Sequence, residues 1–189
     1  DPEMSRGLGD VYKEGIEELF YAVRRLKEEN EDFVLDLAGF FEDIYKKQVE
    51  ELEQLGIAHF YGFQSDPRPF YAEADCVVLP SYHEGMSNVL LEAAATGRPV
   101  ITSNIPGCRE SVENGKSGLL VEVKNKEMLY QAMKKMLHCS REEREKMGKA
   151  GREKMKREFR KEAVVERTVG VWSKMKEERE NFSKTKGEM

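Results

Sequence analysis

A chain of 189 residues, 39% hydrophobic and 35% charged, has room for one globular core under a heavily charged surface. Its formal charge of -5 argues against nucleic acid as a partner, because phosphate-backbone binding needs a net basic face. No apolar run approaches the length of a membrane span and the N-terminus lacks the pattern of a secretory signal, so a cytosolic protein is expected.

Ile16, Leu19, Phe20, Val23 and Leu26 recur at helical spacing, which predicts an amphipathic helix from about Glu14 to Glu29. The short apolar run Phe33 to Ala38 predicts a strand ended by Gly39, and a second helix from about Glu42 to Gln54 leads to a strand from Ala58 to Phe63. A short helix around Pro69 to Glu73, a strand Cys76 to Pro80, a helix Asn88 to Thr96 and a strand Val100 to Thr102 continue the alternation. A turn helix near Arg109 to Glu113, the Asn114-Gly115 turn, a strand Leu119 to Val123 and three helices to about Arg179 complete it, with a polar tail from Asn181. Strands separated by helices imply parallel pairing with right-handed crossovers, hence an α/β Rossmann-like three-layer sandwich with a parallel sheet and C-terminal helices. Such a sheet opens with a buried strand, yet Asp1 to Asp10 contains no apolar run, so the first strand is missing or altered.

From Arg141 to Glu162 ten Lys or Arg stand against six Glu. The leading expectation is a solvated helix laced with ion pairs at i,i+4 spacing; the other is contact with anionic lipid headgroups. Val165, Val169 and Trp172 read as a packing stripe. The cysteines Cys76, Cys108 and Cys139 are odd in number and far apart, which suggests neither a disulfide framework nor a zinc site. A lowered Cys108 pKa at a helix start is one option and an inert thiol the favoured one. His83-Glu84 has Ser87 where a metalloprotease helix needs its second histidine, so no metal role is expected.

Chemistry concentrates between Glu84 and Gly97. A strand ends, a Gly85 turn follows, Ser87 stands where a helix cap belongs, and Gly97 stops the helix. Open α/β sheets bind ligands beyond the carboxyl ends of their strands, and a helix N-terminus there offers N–H groups and a favourable dipole to an anion, placing a phosphate on Met86, Ser87 and Asn88. Glu84 before the helix and Glu92 more than a turn inside it flank that position, too far apart for an acid pair but suited to hydroxyls on either side of a diphosphate. The plainer alternative makes Glu92 a solvent-facing helix residue and Glu84 a loop carboxylate paired with Arg109 or Lys116.

Glu84 and Glu92, with seven residues between them, match the E-x7-E motif of family 4 retaining glycosyltransferases of GT-B fold. Gly97-Arg98-Pro99-Val100-Ile101, Pro106-Gly107-Cys108-Arg109-Glu110 and Asn114-Gly115-Lys116-Ser117-Gly118-Leu119-Leu120-Val121 follow in the family's order, and the chain resembles its C-terminal, donor-binding domain from about Lys13 to Leu137. Glu-Gly-Met-Ser-Asn with Ile-Pro-Gly-Cys is similar to bacterial enzymes of capsular and O-antigen polysaccharide synthesis.

The resemblance implies that Glu84 contacts the donor sugar on its reacting face, that Glu92 binds the ribose, and that Gly85, Met86, Ser87 and Asn88 hold the sugar and diphosphate through their backbone. The segment from Phe63 is similar to the place where the family's backbone reads the base. The family's diphosphate-neutralising R-x4-K-G pattern has its nearest match in Arg6 and Lys13, with six residues between them and Glu14 before Gly15. The Gly-rich turn usual after the second strand is only Gly39-Phe40-Phe41 here.

The implied reaction is hexosyl transfer with retention from a UDP-sugar to a saccharide or lipid-linked acceptor, without a metal, in a protein peripheral to the inner face of the cell membrane. A GT-B enzyme has two Rossmann-like domains, so this chain supplies the donor half, lacks the N-terminal acceptor domain and is expected to be inactive alone. The expected organisation is an irregular segment (1–13), a nucleotide-sugar-binding domain (14–139), charged helices (140–180) and a tail (181–189). The alternatives are a nucleotide-binding module without catalysis and a GT-B UDP-sugar epimerase.

Overall fold

The computed structural model describes residues 15–40 and 43–187. Helix α1 (Ile16–Glu28) buries Leu19, Phe20, Ala22, Val23 and Leu26 along one stripe, the face that its sequence periodicity marks. Strand β1 is Leu35–Ala38, two residues shorter at its start than expected. Its ladder opens with the Leu35 N–H donating to Ile57 O (2.9 Å), and its first Cα partner is Ala58, so among the described residues nothing pairs Phe33 and Val34 into a strand. A 3-10 turn (Asp43–Tyr45) precedes α2 (Lys46–Gln54). Gly56, with φ of 68°, and the Ile57 N–H to Leu52 O bond (3.1 Å) turn the chain into β2 (Ala58–Gly62).

The chain continues through α3 (Arg68–Glu73), β3 (Val77–Leu79), α4 (Asn88–Thr96), β4 (Val100–Ser103), a 3-10 turn (Arg109–Ser111) and β5 (Gly118–Val121). Helices α5 (Lys126–His138), α6 (Arg141–Glu158) and α7 (Lys161–Gly187) follow. Every strand pair is parallel, but the described strands form two ladders, β1-β2 and β3-β4-β5, where the sequence predicts one sheet. A doubly wound sheet places the chain's first strand between its two halves. The expectation about that strand concerns residues 1–13, which lie outside the described ones.

The three layers are explicit in the packing. On one face α1, α2 and α5 share a core with Ala58 of β2, Ile101 of β4 and Leu119 and Val121 of β5, so one helical layer covers both ladders. On the other, Tyr71 of α3 and Leu90 and Ala93 of α4 close on Val100. Successive residues Val100 and Ile101 therefore serve opposite faces, as the two-residue strand period requires.

Polar contacts tie α1 to α5. The Tyr130 hydroxyl donates to Glu29 Oε1 (2.5 Å), Lys134 Nζ donates to Glu29 Oε2, and the Arg25 guanidinium lies 4.8 Å from the Tyr130 ring centroid. The hydrogen bond from Lys134, then that from Tyr130, holds the Glu29 carboxyl at about 2 instead of its ordinary 4.5. Because the folded-state value is depressed, this stabilisation is complete above the unfolded value and lost as pH falls from 4.5 towards about 2. In thermal melts taken between pH 7 and 2.5, Glu29→Gln should lower stability near neutrality and show a shallower loss across that acid window. An acid limb identical to the wild type's would contradict the assignment.

The basic segment bears out the ion pairs of its leading expectation, but it is divided between α6 and α7, and α6 buries Gly148, Gly151, Lys154 and Met155 rather than lying wholly in solvent. Ser140 and Glu143 form a reciprocal capping box at the start of α6 (3.2 and 2.7 Å), and Arg141 with Glu145 (2.9 Å) and Lys154 with Glu158 (2.6 Å) pair at i,i+4 spacing. The helix also packs closely on α4: a Cβ on Gly148 would lie 1.8 Å from the carbonyl oxygen of Gly97. Helix α7 departs from expectation twice. It runs to Gly187 rather than to about Arg179, with no proline in the intervening residues to end it. Its stripe of Val165, Val169 and Trp172, expected to pack, is exposed, with Trp172 at 69%. Periodicity identifies an apolar face but not what covers it. Among the described residues, no helix is long and apolar enough to cross a membrane.

Candidate functional site

The segment Glu84 to Gly97 folds as its punctuation demands. Helix α4 spans Asn88–Thr96, its C-cap Gly97 adopts the left-handed conformation (φ 83°), and it buries Leu90, Ala93 and Ala94. Ser87 stands at the N-cap, but its hydroxyl makes no capping bond, contrary to the sequence expectation. The residue is buried, and its backbone does the work: its N–H donates to Gly107 O (3.1 Å) and its C=O accepts from Leu91 N (3.1 Å). The Ser87 hydroxyl leaves the first N–H groups of α4 uncapped, so this N-terminus offers donors and a dipole that suit an anion.

The loop ahead of α4 is braced from two sides. Buried Ser81 donates its Oγ to Glu84 Oε1 (3.1 Å). Gly107, at φ 88°, approaches so closely that a Cβ there would lie 2.3 Å from Gly85 O and 2.5 Å from Glu84 O. The Gly107 N–H in turn donates to Glu110 Oε2 (2.7 Å). The plainer reading of Glu84 fails on its partners, since Lys116 pairs with Glu113 (2.6 Å) and Arg109 donates to Asn104 O (3.2 Å).

Glu92 lies on the exposed side of α4, where its Oε2 accepts the Tyr71 hydroxyl at 3.2 Å. Both side chains line a cavity of about 450 Å³, together with Ser65, Asp66, Arg68 and Thr96. Burial, and then the Glu92 charge, push the Tyr71 phenol well above its ordinary value. Phe63 projects at 61% exposure just beyond the carboxyl end of β2 and stacks on Phe40 (66% exposed) just beyond that of β1, with ring centroids 5.2 Å apart and planes 11° from parallel.

The structure thus brings Glu84, Gly85, Met86, Ser87, Asn88 and Glu92 around one helix start, with Gly85, Met86 and Asn88 exposed there. Lys13 and Arg6 lie outside the described residues. A Cβ on Gly15, the first described residue, would lie 2.2 Å from Pro80 O, so α1 begins beside the β3–α4 loop. Cys108 is buried and its thiol is pushed up by that burial, which matches the inert reading. Sequence reasoning missed Tyr71, Phe40 and the part played by Gly107. Only the Pro106-Gly107 turn left a signal, and its contact across the site left none.

Fold and site define the class: a doubly wound α/β domain with an open helix N-terminus between two carboxylates at the carboxyl edge of its strands. The model of the glycosyl transferases group 1 family matches residues 10–154, and the chain belongs to that family. It is 31% identical over 158 residues to the lipopolysaccharide core biosynthesis glycosyltransferase LpsE of Rhizobium meliloti, covering 82% of this chain and 45% of that protein. Among solved structures, sucrose-phosphate synthase from Thermosynechococcus elongatus superposes with a TM-score of 0.72 at 27% identity, over 87% of this chain and 43% of that one. Anabaena HepE, solved in complex with UDP, superposes at 0.71 and 20% identity, over 86% and 46% of the two chains. The chain therefore spans less than half the length of each of these proteins, and the GT-B expectation for the fold stands.

Proposed function

We propose that this chain binds a nucleotide-sugar donor, a UDP-hexose, for transfer of the hexosyl group with retention to a saccharide or lipid-linked acceptor. The observation that carries the reading is the open N-terminus of α4 between Glu84 and Glu92. The diphosphate takes the N–H groups at Met86 and Asn88, on a turn that Ser87 holds by giving its own N–H to Gly107 O, Glu92 takes the ribose, Glu84 takes donor sugar hydroxyls, and the backbone at Phe63 meets the base. Lys13, with Arg6, supplies the cationic side. Catalysis on this reading is electrostatic: donors and cations already aimed at the leaving diphosphate stabilise its growing charge, and no metal is required. The acceptor enters on the face from which the diphosphate departs.

The fold shared with a UDP-bound structure and the family's relatives in polysaccharide synthesis support this reading. Turnover requires the acceptor domain, so the isolated chain binds without transferring. Calorimetric titration with UDP, UDP-glucose and UDP-N-acetylglucosamine tests it. Saturable binding to the wild-type chain is expected, weakened about tenfold or more in Glu92→Ala by loss of charge-assisted hydrogen bonds. Absence of binding to the intact chain, or a Glu92→Ala variant that binds as well as wild type, would sink the proposal.

A further inference from the structure

We infer that Tyr71 is a positioning residue, which presets the Glu92 carboxylate for the two neighbouring hydroxyls of a ribose and makes the site selective for ribonucleotides. The inference rests on the donor-binding reading above. Tyr71 is 6% exposed, and its ring belongs to the core cluster of Leu90, Ala93 and Val100, so packing fixes its rotamer. Its hydroxyl donates to Glu92 Oε2 (3.2 Å), and both residues line the cavity. With its phenol raised by burial, Tyr71 keeps its proton and remains a donor at neutral pH.

A glutamate on the outer side of a helix samples several rotamers, and ordering it on binding costs conformational entropy. The Tyr71 bond removes part of that freedom beforehand. It uses one acceptor direction of a carboxylate that has about four, leaving Oε1 and the second lone pair of Oε2 for a vicinal diol. Asp66, Arg68 and Thr96 on the cavity wall are already engaged. Asp66 accepts from Arg68 Nε (2.7 Å) and Nη2 (2.8 Å), and the Thr96 hydroxyl donates to Glu92 O (2.8 Å). Among the described residues, Glu92 is thus the carboxylate of this cavity not engaged by a cation, and a neutral hydroxyl pair suits it.

The test is calorimetry of UDP and of 2′,3′-dideoxyuridine diphosphate with the wild-type chain and Tyr71→Phe, which keeps the buried ring. The wild type should prefer UDP by about tenfold. Tyr71→Phe should weaken UDP about fivefold and leave the dideoxy analogue unchanged, so that the preference nearly disappears. Equal weakening of both ligands would mark a packing role and overturn the inference, as would a variant that keeps the wild-type preference. A wild type that binds both alike overturns it while leaving the donor reading in place; one that binds neither overturns both.

Discussion

Gly148→Ala should lower the midpoint of thermal unfolding by about 4–8 °C, whereas Gly151→Ala, three residues further along α6, should raise it by about 2–4 °C. On helix propensity alone both changes are favourable, since alanine exceeds glycine by about 1 kcal/mol in a helix interior. Their surroundings separate them. The added Cβ at Gly148 would stand 1.8 Å from Gly97 O and 2.7 Å from Gly97 C, whereas at Gly151 the nearest atoms are the Cβ atoms of Ala94 and Ser117 at 3.6 Å. The first clash is with backbone at the C-cap of α4 and cannot be relieved by a rotamer change, so the overpacking cost sits near about 3 kcal/mol and outweighs the propensity gain. The second is an ordinary van der Waals contact. Parallel thermal melts decide the matter, and shifts of the same sign in both variants would refute the close packing of α6 on α4. The outcome also bears on ligand binding, because α6 backs the helix whose other end forms the site.

Gly107→Ala should weaken UDP binding by tenfold or more and also lower thermal stability, although residue 107 offers no side chain to a ligand. Two effects combine. At φ 88° an L-residue carries strain of about 1–2 kcal/mol, and the new methyl group would meet Gly85 O at 2.3 Å and Glu84 O at 2.5 Å. Both neighbours are backbone, so the loop itself must move, carrying Glu84 away from Ser81 and disturbing the Ser87 N–H to Gly107 O bond that sets the start of α4. Gly115→Ala is the control: φ is 76° but no atom of the described residues lies within 4 Å, so it should show the strain in a melt and leave UDP affinity unchanged. If Gly107→Ala binds UDP as tightly as the wild type, the Pro106-Gly107 loop does not hold the site.

These two glycines also show where sequence reading reaches its limit. The bounds of α4 were legible to the residue, because Ser87 and Gly97 punctuate it and both signals are local: a position outside the helix before it and a left-handed position after it. The order of strands and helices was legible for the same reason, apolar runs of strand length alternating with helical periodicity between glycines. Edges of strands were less so, since β1 starts where β2 offers it a partner and not where its apolar residues begin.

The sequence by itself thus determined the parallel α/β alternation, the helix between Glu84 and Gly97 and, through the spacing of its glutamates and the motifs that follow, the family. The tertiary structure alone decided how those parts meet. It showed that Ser87 holds its cap position by backbone rather than hydroxyl, that α6 lies against the C-cap of α4, and that the Val165-Val169-Trp172 stripe stays exposed. It also set Tyr71 against Glu92 across 21 residues of sequence. The physical reason is common to all four: capping signals and periodicity arise within one turn or one strand, whereas whether two distant segments meet or a face stays uncovered is set only by how the layers pack.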